Sequence, residues 1–283
     1  MRQEENLAGS DSRTWQTFDD AAERTSRWEV LLLLSIPVVL VGLMFLSLSQ
    51  RADLTLSLQA SGWMLYIPHF IHESWMHLLS NLVSYTALVL FLFPLVAATE
   101  RLRWFYAALA LCLTLVPFAV SIGFQANSFP ANGQGFSAIM SAWYVYVPIG
   151  LSDYLRYHVS DVYSRWDAVG FLGVGFLLLY VGGFRLIWVA ALGGAGVIFW
   201  FQTLRKIDRS HLQRLRHSGS GLIATLVLLT WTAGILTGVR YGNGFVHLLG
   251  MLYGLMLIVP SCLLLPAALA VVKQQSVISS RGG

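Results

Sequence analysis

Long apolar runs separated by short polar stretches dominate the chain. A bilayer core takes about 20 apolar residues per helix. Such runs cover Val30 to Leu48, His77 to Ala98, Trp104 to Phe124, Gly135 to Ile149, Ala168 to Val181, Leu186 to Phe201, Leu222 to Val239 and Phe245 to about Leu265. The stretch from Ala168 to Phe201 is too long for one crossing at about 1.5 Å per residue. Gly182, Gly183 and Arg185 interrupt it, so two helices are expected there. The pattern predicts an all-α, polytopic transmembrane helical bundle of about eight spans over 29–272, preceded by a polar segment, 1–28, and followed by a short tail, 273–283.

Composition and charge sharpen this picture. With 56% hydrophobic and 11% charged residues, the chain has more apolar surface than a water-soluble fold of its length can hide, so the excess faces lipid. Glu4, Glu5, Asp19, Asp20 and Glu23 precede any apolar run, so no cleavable signal peptide is expected and the first span acts as the insertion signal. Trp15, Phe18, Ala22 and Trp28 among those charges suit either a surface-lying segment or a disordered tail. Cytoplasmic loops retain Lys and Arg. With both ends inside, Arg101, Arg103, Arg156, Arg165, Arg205, Lys206, Arg209, Arg214, Arg216 and Lys273 are cytoplasmic, and only Arg51, Arg185 and Arg240 lie outside. The net charge of +4 therefore calls for the lipid bilayer and no nucleic acid, and a prokaryotic plasma membrane is the expected location. Cys112 and Cys262 sit alone in apolar runs and are expected to pack, not to pair or bind metal.

Polar side chains at membrane depth are costly unless paired or facing a cavity, so they mark candidate function. Three clusters stand out. The first, from Trp63 to Asn81, holds His69, His72, His77 and Asn81; His77 and Asn81 are about 40° apart on a helix and share a face. His72-Glu73 followed by a second histidine suggests zinc, but a spacing of five residues turns the imidazoles about 140° apart on a helix, against the needs of one metal. His69 is expected at the membrane interface. The second cluster runs from Pro130 through Asn132, Gly133 and Gln134 to Gly135, Ser137 and Ala138, a glycine-rich loop feeding an apolar helix. The third, in the last span, sets His247, Gly250 and Gly254 at i, i+3 and i+7, within about 60° of one another, so the imidazole is aimed into a tight helix contact. Three spans separate the serine and histidine helices, so both run inward from the outer face. Ser137, His247, His77 and Asn81 can thus converge at one depth, as serine hydrolysis requires.

In these spaced positions the chain resembles the rhomboid family of intramembrane serine proteases. The family's HxxxxHxxxN is His72, His77 and Asn81; its GxSx is Gly135, Ser137 and Ala138; its HxxGxxxG is His247, Gly250 and Gly254, all in family order. The resemblance implies a rhomboid-like core and a Ser–His dyad in which His247 removes the proton from Ser137. It further implies an oxyanion held by His77, Asn81 and the Ser137 N–H, with His72 and Gly135 in support. Gly250 and Gly254 would pack the histidine helix on the serine helix. No cofactor or metal is implied, and the expected substrates are transmembrane proteins, cleaved near helix-weakening residues. The chain departs from the family at Met64, where an arginine is common, at Ser141, where an aromatic is common, and in an extra helical pair between Ser137 and His247. A non-catalytic rhomboid-like protein that binds membrane helices is the alternative. A transporter using His72, His77 and His247 as proton carriers would need broken or paired repeats, which are missing.

Overall fold

The computed structural model describes residues 19, 21–99, 101–127, 134–182, 187–205, 207–210, 213, 220–241 and 244–264. Most of segment 1–28, the tail 273–283, and Asn132, Gly133, Lys206, Arg214, Arg216, Asn243 and Lys273 lie outside the described residues. Those described form helices and turns, with no β-strand among them.

Helix α1 (Arg27–Leu43) starts on a capping box: Glu29 N–H donates to Ser26 Oγ at 3.3 Å, and Ser26 N–H donates to the Glu29 carboxylate at 2.7 Å. A short α2 (Leu48–Asp53) and two 3₁₀ turns, Gly62–Leu65 and Ile67–Phe70, lead to α3 (Trp75–Ala98). The third apolar run is two helices, α4 (Leu102–Thr114) and α5 (Val116–Ala126), bent by 41°. Pro117 explains the bend, because it has no N–H for the carbonyl four residues back and its ring crowds that carbonyl.

The fourth run is also broken, into α6 (Ser137–Trp143) and α7 (Tyr146–His158). Pro148 leaves the Tyr144 carbonyl without its usual helical donor. The indole N–H of Trp231 supplies one at 3.0 Å, beside Val147 N–H at 3.3 Å. Helix α7 continues past Ile149, where the apolar pattern stops, to His158. Asp153, on the part of α7 beyond that run, is 8% exposed and accepts a hydrogen bond from Arg165 Nε at 2.7 Å, with Arg101 Nε 3.8 Å away. A paired buried carboxylate does not stop a helix.

The remaining helices are α8 (Asp167–Gly182), α9 (Ile187–Leu204), α10 (Ser220–Tyr241) and α11 (Gly244–Val259), which runs into a π turn at Pro260–Leu264. Helices α3 and Gly244–Cys262 are long and apolar enough to cross a membrane, and α4 with α5 makes a third if the bent pair is one span. Shorter apolar helices occupy Asp167–Tyr180, Val189–Gln202 and Gly221–Leu236. Along α3, Leu78, Leu88 and Leu92 are buried while Met76, Leu79, Val83 and Leu90 are exposed. A helix apolar on both faces suits a lipid surround better than water.

Helix α6 sits at the centre. Its residues Ala138 to Trp143 are all buried, and α3, α4, α5, α7, α10, α11 and the second 3₁₀ turn pack around it. Helices α8 and α9 pack on each other; α8 also meets α7 and α10, so this pair stands away from the α6–α11 contact.

Candidate active site

Glycine brings α11 onto α6. A Cβ on Gly250 would collide with the Ala138 carbonyl oxygen and come within 3.1 Å of Ser141 Cβ; one on Gly254 would lie 2.6 Å from the Ala142 carbonyl oxygen. The two backbones meet more closely than side chains allow. From one turn before Gly250, His247 enters this contact, 9% exposed. Its Nδ1 lies 2.7 Å from Ser141 Oγ, and that hydroxyl also donates to the Ser137 carbonyl at 2.8 Å. Ser137, one turn earlier, opens α6 and is half-buried. Among the described residues no hydrogen bond joins its hydroxyl to His247. The hydroxyl that holds the imidazole is thus Ser141, the position where the chain departs from the rhomboid pattern.

The loop ahead of Ser137 is fastened at several points. Gly135 has φ +107°, a conformation that suits glycine, and a Cβ there would fall 2.7 Å from His77 Cε1 and 2.8 Å from its Nε2. Gly135 N–H donates to the Pro68 carbonyl at 2.9 Å. Phe136 is fully buried, its ring 5.9 Å from Phe70 and 6.3 Å from Tyr85. Gly135 and His77 are therefore in contact beside the first residue of α6.

His72, His77 and Asn81 stand together, though by a different geometry from the helical one expected. Helix α3 begins at Trp75, with Ser74 Oγ accepting the His77 N–H at 3.2 Å, so His72 precedes the helix and the azimuth of about 140° does not apply to it. The two rings lie 5.1 Å apart, edge to face. His72 Nε2 accepts from Asn81 Nδ2 at 2.9 Å and from Phe136 N–H at 3.4 Å. That nitrogen is spent on bracing the loop, and Asn81, 5% exposed, is turned toward His72. Burial, with His77 nearby, lowers the His72 pKa to about 4.

His69 lies inside the protein. It is 3% exposed and bonds Ser121 Oγ on α5 at 2.9 Å, and Ser121 donates onward to the Leu65 carbonyl at 2.6 Å. Burial lowers its pKa to about 4, so it stays neutral and ties the turn Ile67–Phe70 to α5.

Sequence reasoning missed Arg51. Its guanidinium donates to the carbonyls of His72 at 2.8 Å and Glu73 at 3.1 Å, just ahead of the α3 cap. Met64 holds no arginine, but α2 brings one to this turn. The available signal was that Arg51 is the single Arg or Lys between Arg27 and Arg101. Comparison of the chain with protein-family models, curated proteins and solved structures returns no match.

Proposed function

We propose that the protein is an intramembrane serine endopeptidase of rhomboid type, a multi-pass protein of about eight spans with a site that opens to the outer face. The observation that carries this reading is the junction of α6 and α11, where a glycine contact buries the bond between His247 and Ser141, with Ser137 one turn away on α6 and Gly135 and His77 alongside. Ser137 is the nucleophile and His247 its base, through Nε2. The serine oxygen adds to a substrate peptide carbonyl, the imidazolium returns its proton to the leaving amine, and water hydrolyses the acyl-enzyme. His77 and the Ser137 N–H, at the first position of α6 where a backbone donor has no helical acceptor, serve the oxyanion. Asn81 joins them if it releases His72. Substrates are transmembrane helices that unwind near small residues; both termini are cytoplasmic, in a prokaryotic plasma membrane.

A second reading, a rhomboid-like protein that binds membrane helices without cutting them, is favoured by the bond of His247 to Ser141 in place of Ser137. Exposure of detergent-purified wild type and Ser137→Ala to a fluorophosphonate probe separates the two. Labelling confined to the wild type, mapped to Ser137, is expected. Equal labelling of both, or none of either, sinks the protease.

A further inference from the structure

We propose that Ser141 is a positioning residue that sets the tautomer of His247, placing the proton on Nδ1 and leaving Nε2 free to act as a base. A helical serine commonly bonds back to the carbonyl four residues earlier, and Ser141 does so at 2.8 Å. What sets it apart is that the same oxygen lies 2.7 Å from His247 Nδ1, with Ser141 4% and His247 9% exposed. A hydroxyl has one proton. The Ser137 carbonyl can only accept, so that proton is committed to it, and the Ser141 oxygen is left to accept from Nδ1–H. Were Nδ1 unprotonated, the hydroxyl could serve only one of two acceptors: either the Ser137 carbonyl, which also takes the helical N–H of Ser141, would lose its second bond, or Nδ1 would be left buried and unpaired, at a cost comparable to a lost hydrogen bond.

The consequence rests on the protease reading and deepens it. An imidazole that donates from Nδ1 must present the lone pair of Nε2, and a base steered by a third group is the general pattern of an activated serine. The Ser137 proton would pass to Nε2 as the serine oxygen uses the O–H electron pair to bond the substrate carbon, whose π pair moves to the carbonyl oxygen. Nδ1–H stays bonded to Ser141 throughout. Return of the Nε2 proton to the amine, as the C–N bond breaks, restores the starting tautomer. The carbonyl that fixes Ser141 belongs to Ser137, so α6 sets the base and the nucleophile together. Gly250 sets the distance, since its missing Cβ leaves room for Ala138 and Ser141.

Histidine-selective ¹⁵N labelling of the full chain in detergent tests the tautomer directly, with the His247 signals assigned by their loss in His247→Gln. The wild type is expected to show Nδ1–H, Ser141→Ala to lose that preference, and Ser141→Thr, which keeps a hydroxyl, to restore it. In parallel, the fluorophosphonate labelling rate at Ser137 should fall roughly 10–100-fold in Ser141→Ala, the scale for losing a group that orients a histidine, and recover in Ser141→Thr. An Nε2–H wild type, an unchanged spectrum in Ser141→Ala, or probe attached to Ser141 itself overturns the proposal. If the wild type takes no label, the protease reading falls, while the tautomer spectra still decide this one.

Discussion

The contact of α6 with α11 and the contact of α8 with α9 are closed by the same device. In the first, Gly250 and Gly254 lie over the backbone at Ala138 and Ala142; in the second, Gly173 and Gly196 meet Cα to Cα, Gly170 faces Trp200, and Gly193 lies against the backbone of Leu177. The surroundings differ. Phe171 and Trp200 lie with tilted rings 5.8 Å apart beside the second contact, whereas the first encloses Ser141 and His247, with Ser137 half-buried one turn away. Small residues let two helices approach whatever the purpose. The close approach becomes a candidate site only where it removes water from groups that can exchange a proton.

Three experiments press on this difference, beside the Ser137 and Ser141 variants. Gly250→Ala should have the largest effect, because its new Cβ collides with a fixed carbonyl and not with a flexible side chain. It should cost about 1–3 kcal/mol of stability and, by moving His247 off Ser141, lower probe labelling per folded molecule about 100-fold. Thermal unfolding and labelling on the same sample read both. Gly173→Ala should cost a similar 1–3 kcal/mol yet leave labelling per folded molecule within about twofold. A matching loss of labelling would mean that α8 and α9 hold the site after all.

Acid should produce the smallest and most local effect. His69 and His72 have pKa values lowered by burial to about 4, against 6.5 for a free imidazole. Between these values the unfolded chain binds more protons, so their contribution to stability is complete above pH 6.5 and is lost as pH falls toward 4. Protonation of these buried imidazoles is linked to opening of the turn that holds them. Protection factors at 62–73, taken relative to the intrinsic exchange rate at each pH, should fall between pH 6.5 and 4.5, while α8 and α9, which contain no histidine, keep theirs. Uniform loss of protection would show that the outer turn does not open on its own.

Much of the helical frame was legible along the chain. Among the described residues each apolar run is mostly helix, and Ser26 with Glu29, and Ser74 before α3, are local caps. The breaks at Leu115 and Tyr144 were not read, although Pro117 and Pro148 are the cause, because hydropathy is continuous across them. The expected run ended at Ile149, short of His158, because the rest of α7 is polar in sequence and its Asp153 is buried only by pairing with Arg165. The cluster of His72, His77 and Asn81 was found, but its geometry was assigned to a helix that starts three residues too late to include His72.

By itself, then, the sequence determined which segments are helical, which are apolar on all sides, and which few polar residues are held within them. Those are local properties, set by periodicity, caps and the cost of leaving polar groups unpaired. Only the tertiary structure decided which hydroxyl meets His247. Ser137 and Ser141 are one turn apart on the same face of α6, so no spacing rule distinguishes them. The height at which Gly250 lets α11 cross that face does. Arg51 and its two carbonyls, and Asp153 and Arg165, were settled in the same way. Hydrogen bonds between distant segments depend on where packed helices bring their ends.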